Sequence, residues 1–248
     1  MEKYEYQTLY NLEETFWWFR GLREIILDQI RKFAPKKVSR VLDVGCGTGR
    51  NLLMYSKEIS EQSFGLDFSL DAAEFWKKRQ QNKNIIASAN AIPFLSDSFN
   101  LVTCIDLLEC DEADENLALG EIWRVLAKSG IIIFIVPACQ WLYSKEHDTA
   151  VHASRRYDKL KFRTLLEKHG FQILRISYLY LSFFPLIALY RLFERIKPRS
   201  KIESPRSNIK VLPSFLNSFF SFLVHIEAMV FRKFDFPWGS SILAVARK

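Results

Sequence analysis

Between residues 40 and 136 five short apolar runs alternate with polar stretches of helical period, and this alternation constrains the fold more than any other feature of the chain. The runs cover residues 40–44, 63–67, 85–89, 101–105 and 131–136. Parallel neighbours need a long crossover, and the segments 51–59, 71–80 and 116–126 are long enough to supply it as helices. A further helix at 161–169 ends at Gly170, a sixth strand follows at 171–177, and the apolar run 241–246 makes a seventh. With 248 residues the chain buries roughly 70% of its unfolded surface, enough for an α/β core without disulfides.

Composition narrows the function classes. Hydrophobic residues at 49% and charged residues at 25% exclude a disordered or collagen-like chain. An aromatic share of 15%, including 21 Phe, exceeds what one core needs and points to a greasy pocket or an interface. The formal charge of +7 favours phosphate groups or anionic lipid, yet no basic run is long enough to read as a nucleic-acid arm. Cys46, Cys104, Cys110 and Cys139 form no CxxC pair and read as reduced thiols of a cytoplasmic protein. The acidic, polar start MEKYEYQTLYNLEE argues against a secretory signal peptide.

The sharpest motif is VLDVGCGTGRN, residues 41–51, a strand running into a glycine turn and then a helix. Gly45, Gly47 and Gly49 allow a ligand to approach bare backbone. Their G-x-G-x-G spacing departs from the dinucleotide fingerprint, and the loop lacks the Lys-Ser/Thr ending of a P-loop. From about residue 38 to 171, and again in the last strand, the chain resembles the class I S-adenosylmethionine (SAM) dependent methyltransferases. That resemblance implies a Rossmann-like, seven-stranded, mostly parallel α/β sheet with an antiparallel last strand. It also implies SAM as cofactor, a molecule without phosphate whose loop needs only bare backbone. Asp67, about twenty residues past the loop, is then the carboxylate for the ribose hydroxyls, with Phe68 over the adenine. Asn90 stands beside Ala91 where the family typically has Asp, and keeps one oxygen for the adenine amino group. Asp106 falls near the methionine ammonium, with Asp43 supporting the loop from below. The family's Leu-Glu-His triplet reads Leu108, Glu109, Cys110 here, so no role of that His carries over.

The segment YSKEHDTAVHASRRYD, residues 143–158, follows strand five and so lies over the ligand-binding end of the sheet. It resembles a subgroup of bacterial methyltransferases with an H-D-x-x-x-x-H-x-x-R-Y segment. Three readings of it stay open. His147 or His152 is a general base, with Arg155, Arg156 and Tyr157 holding an anionic acceptor; His147, Asp148 and His152 bind a divalent metal; or the segment is a solvated, salt-bridged loop. The cluster FWWFRGLR, residues 16–23, resembles cap helices that close over SAM, which would put Trp17 or Trp18 in the pocket wall and pair Arg20 with the SAM carboxylate; aromatic packing of the cap is the plain alternative.

The expected organisation is a helical cap at 1–37, a SAM-binding domain at 38–177 and 238–248, and an aromatic helical insert at 178–237. Two apolar stretches of the insert flank the basic residues Arg191, Arg195, Lys197, Arg199 and Lys201. The insert reads as a lid for a lipid-like acceptor, a peripheral membrane contact or a homodimer interface. Membrane spanning is disfavoured by Pro185, His225 and Glu227. The expected activity is SAM-dependent O-methylation of a small or lipid-linked, anionic acceptor. The rivals are a non-catalytic SAM-fold binding protein and, behind it, a nucleic-acid methyltransferase.

Overall fold

A computed structural model describes residues 1–196, 207, 209 and 211–248. Seven strands form one sheet: β1 (Val41–Val44), β2 (Ser63–Asp67), β3 (Asn84–Ile86), β4 (Phe99–Ile105), β5 (Leu126–Pro137), β6 (Gln172–Leu179) and β7 (Ser241–Arg247). Their order is β3-β2-β1-β4-β5-β7-β6. Every pair from β3 to β5 is parallel, while β7 runs antiparallel to both β5 and β6. β1 is buried along its whole length, as expected of a central strand covered on both faces. Nine α-helices are described: α1 (Lys3–Leu12), α2 (Trp17–Phe33), α3 (Arg50–Glu58), α4 (Leu70–Lys78), α5 (Glu115–Val125), α6 (Lys145–Ala150), α7 (Lys159–Lys168), α8 (Phe184–Ile196) and α9 (Ser214–Phe231). Side-chain caps open three of the crossover helices: Ser69 accepts from Asp71 N–H, Asp114 from Asn116 and Leu117, and Asp158 from Leu160 and Lys161.

Two cores flank the sheet. On one face Ile26 of α2, Tyr55 of α3 and Ala228 of α9 pack with Ile133 of β5. On the other, Leu119 of α5 and Phe162 of α7 pack with Leu42 and Phe134. Strand order reverses between β1 and β4, so the crevice for a ligand opens at their carboxyl ends.

Several boundaries differ from the sequence-based expectation. The run 85–89 contributes only Asn84–Ile86, an edge strand with β2 as its one neighbour, and a turn follows at Ala89. The polar start forms α1, whose buried residues are only Glu5 and Tyr6, too few to show a helical stripe. β6 continues to Leu179, so the first two residues of the expected insert belong to the sheet. α9 lies along α2, and at Gly21 an added Cβ would come within 1.9 Å of Val224 Cγ1. The cap and the insert thus share one helical layer. α9 is 18 residues long and apolar enough to cross a membrane by length and composition. Its Glu227 is buried and accepts from the backbone N–H groups of Leu181 (3.0 Å) and Ser182 (2.9 Å). Lys197, Arg199 and Lys201 lie outside the described residues, as does the side chain of Arg195.

Candidate functional site

The turn after β1 is built on left-handed backbone: Gly45, Gly47 and Gly49 have φ of 79°, 53° and 79°. At Gly47 an added Cβ would meet nothing within 4 Å, so the loop shows bare backbone to open space. Gly49 differs, because it caps α3, stands outside the cavity lining, and any side chain there would strike Gln81. Asp67, at the carboxyl end of β2, ties the region together. Its carboxylate accepts from Gly47 N–H (2.8 Å), Ser69 N–H (3.0 Å) and the Tyr6 hydroxyl (3.4 Å). Trp76 Nε1 donates to Gly47 O (2.8 Å), holding the loop from the other side.

These groups open on a cavity of about 1190 Å3. That exceeds the ~300–1,000 Å3 of ordinary ligand pockets. Asp43, Gly45, Gly47, Asp67 and Phe68 border one end of it, and Phe68 is 63% exposed. Asp43 accepts from the Thr103 hydroxyl (2.6 Å) through one oxygen, while the other is buried without a partner. Burial pushes its pKa up to about 7, against the pull of Thr103.

The N-terminal helices form a second wall. Glu13, just past α1, accepts from the Thr48 hydroxyl (2.6 Å) and pairs with Arg79, fastening the cap to the glycine loop. Trp18 lines the cavity and stacks on Tyr180 with ring centroids 3.6 Å apart. Arg20 does not line it: the residue sits on the exposed side of α2, which overturns the expected pairing. Arg23, one turn on, faces the cavity and donates to Glu13 O (2.6 Å), and Arg50 stands beside it. Burial, with the charge of Arg50, lowers the pKa of Arg23 to about 10.

The third wall comes from the β4 and β5 loops. Asp106 lies here in left-handed conformation (φ 47°). The surrounding protein raises its pKa, and Arg156 opposes that shift. Glu109 is buried, one of its carboxylate oxygens lacks a partner, and burial together with Asp106 holds its pKa far above the usual carboxylate range. Arg156 donates to Asp148 (2.8 Å), and its Nε–H has no partner. His147 borders the same space, and burial lowers its pKa to about 4.

Five further expectations are corrected by hydrogen bonding. Asn90 accepts from Asp114 N–H (3.0 Å) and donates to Glu112 O (3.1 Å), so its amide braces a loop, and neither it nor Ala91 reaches the cavity. Arg155 also braces, donating to the carbonyls of Cys110 (3.0 Å) and Ala113 (3.1 Å). The Tyr157 hydroxyl is spent on Leu108 O (2.9 Å) with its ring in the core. His152 lines the cavity, but its two ring nitrogens face Glu112 (2.6 Å) and Glu2 (3.3 Å), which makes it a bridge between carboxylates instead of a base. Asp148 divides its oxygens between Arg156 and Ser144 N–H (2.6 Å), which leaves neither for a metal. Glu109, Arg23 and Arg50 are the site residues that sequence reasoning passed over. Glu109 was signalled only by its place after β4, at the ligand-binding end of the sheet.

The groups present fit SAM. Bare backbone at Gly47, a carboxylate at Asp67, an aromatic ring at Phe68 and cations at Arg23 and Arg50 match its ribose, adenine and amino-acid portions. Residues 42–134 match the methyltransferase domain family. An uncharacterized protein of Methanocaldococcus jannaschii is 36% identical over 115 residues, 46% of this chain and 41% of the relative. The chain therefore spans less than half the length of that curated relative. The methyltransferase subunit of a Haloferax volcanii complex with the Trm112 activator superposes with a TM-score of 0.59 at 18% identity, covering 96% of this chain and 91% of that one. A SAM-dependent methyltransferase of Thermotoga maritima gives 0.56 at 18% identity, over 98% and 95% of the two chains. Residues 42–134 thus match the methyltransferase domain family within a seven-stranded sheet, and the chain shares the fold of these SAM-dependent methyltransferases.

Proposed function

We propose that this protein transfers the methyl group of SAM to an oxygen of an acceptor bound beside His147. The observation that carries the cofactor half is the left-handed glycine turn, whose Gly47 N–H is fixed by Asp67 at the mouth of a cavity larger than one ligand requires. When bound, SAM supplies an electrophilic methyl group on a sulfonium. The chain's residues align the acceptor and exclude water, the main demands of a direct displacement. His147, held neutral at physiological pH by burial, takes the acceptor's hydroxyl proton on a ring nitrogen. Glu109, held protonated, donates to a polar atom of the acceptor, and the Arg156 Nε–H offers a second donor to an anionic group. The exposed apolar faces of α8 and α9 support the expected contact with a membrane surface or a second copy of the chain.

The first test is a thermal-melt titration with S-adenosylhomocysteine, using NAD as control. At about a hundred times its dissociation constant the ligand stabilises the fold by roughly 2.7 kcal/mol. We expect a shift in the wild type that Asp67→Asn weakens and Asp67→Ala removes. No shift in folded, cofactor-free wild type would overturn the reading. Acceptor screens reading homocysteine-product release then follow, in which His147→Gln lowers kcat.

A further inference from the structure

The cavity is not uniform. Its inner end carries buried polar groups with unmet hydrogen bonds, the Glu109 carboxyl oxygen and the Arg156 Nε–H, in side chains only 4% and 7% exposed. Its outer arm is aromatic. Trp17 stacks on Phe183 at 4.3 Å and meets Phe220 at 5.5 Å, while Phe183 and Phe220 lie 5.6 Å apart. These rings come from α2, the β6–α8 connection and α9, and their mutual contacts join three elements along one wall of the cavity. Ile187 lines the arm beside them.

The arm reaches the surface along α8. Leu186 and Tyr190, one turn apart, both line the cavity, yet they are 57% and 47% exposed. The same side chains therefore form the lining and the rim, and the rim continues into an outward apolar stripe on α8 that includes Leu189 and Phe193. A purely polar acceptor would leave the aromatic arm in water, and a purely apolar one would leave the inner polar groups unpaired.

Resting on the methyltransferase reading above, we propose that the acceptor is an amphiphile whose alkyl or isoprenoid-like chain lies in the aromatic arm, enters over Leu186 and Tyr190, and carries its methylated polar head to Glu109, Arg156 and His147. The head hydroxyl loses its proton to His147 as its oxygen bonds the methyl carbon and the carbon–sulfonium bond breaks, which leaves S-adenosylhomocysteine. The chain is an anchor in this scheme, setting which oxygen reaches the methyl group.

The test uses the full chain saturated with S-adenosylhomocysteine and the neutral fluorophore phenylnaphthylamine. We expect saturable binding with enhanced emission, displaced by dodecanol and not by butanol at equal concentration. Leu186→Glu places a charge on the exposed rim, where folding is unaffected, and Ile187→Trp fills the arm; each should weaken the fluorophore about tenfold. Both variants should keep the wild-type thermal shift with S-adenosylhomocysteine. Non-saturable binding, displacement without chain-length dependence, or undiminished affinity in either folded variant would overturn the proposal. Absence of the cofactor-product shift in the wild type would instead bring down the methyltransferase reading on which it rests.

Discussion

Two buried titratable side chains at the site pull stability in opposite directions as pH changes. Asp43, raised to about 7 from a usual ~3.9, is favoured in its neutral form by the fold; its contribution is complete below about pH 4 and is lost as pH rises to 7. His147, lowered to about 4 from ~6.5, contributes fully above pH 6.5 and loses that contribution as pH falls towards 4. The two offset each other in the wild type, so single variants are needed to separate them. Asp43→Asn should gain melting temperature relative to wild type between about pH 5 and pH 8, and His147→Gln should gain relative to wild type as pH falls from about 7 to 4.5. Calorimetric titration with S-adenosylhomocysteine should find Arg20→Ala unchanged and Arg23→Ala weakened about tenfold, or ~1.4 kcal/mol, near the lower end for one hydrogen bond to a charged group. The backbone-dictated residues were legible in the sequence: Gly45 and Gly47 by their spacing, Asp67 by its distance from them. Asn90, Arg155 and Tyr157 were not, because a side chain with donors or acceptors is equally able to serve a neighbouring loop, and only tertiary contacts decide which.

Among the elements, the pairing of α2 with α9 depends on one missing side chain. Gly21 brings the two helices together, and the space a Cβ would take there is filled by Val224. Gly21→Ala should cost roughly 1–3 kcal/mol through overpacking, and Val224→Ala in the same chain should recover part of that loss. A double-mutant cycle in denaturant reads the coupling directly; simple additivity would show that positions 21 and 224 do not act on each other. The crossover helices were legible from their length and helical period between strands; side-chain caps at Ser69, Asp114 and Asp158 open three of them, while α3 starts from Gly49 without one. α1 escaped because its burial is carried by Glu5, held by Ser207, and by Tyr6, bonded to Asp67; polar partnerships of this kind leave no hydrophobic period.

Across the whole molecule the cap, the glycine loop and the insert behave as one assembly over the sheet. Tyr6 reaches Asp67, Glu13 reaches Thr48, and Asn217 of α9 accepts from Trp17 N–H (3.0 Å) at the start of α2. A ligand that orders the loop should therefore slow hydrogen exchange in α1 and in the first turn of α2, far from any cofactor atom in sequence. Exchange measured with and without S-adenosylhomocysteine checks this; protection confined to residues 43–70 would show that the cap is not coupled. The sequence could reveal cap and insert separately, but not that they share a layer, since the contacts join residues about two hundred positions apart.

The position of β7 also has a consequence for how the chain matures. It is the last strand in sequence yet fills an interior slot between β5 and β6. During synthesis those two strands must wait with unsatisfied edges while α8 and α9 are still being made. Synthesis from the N-terminus should therefore leave the sheet open at this slot until β7 emerges. That interval is when its unpaired strand edges are most open to mispairing with other chains.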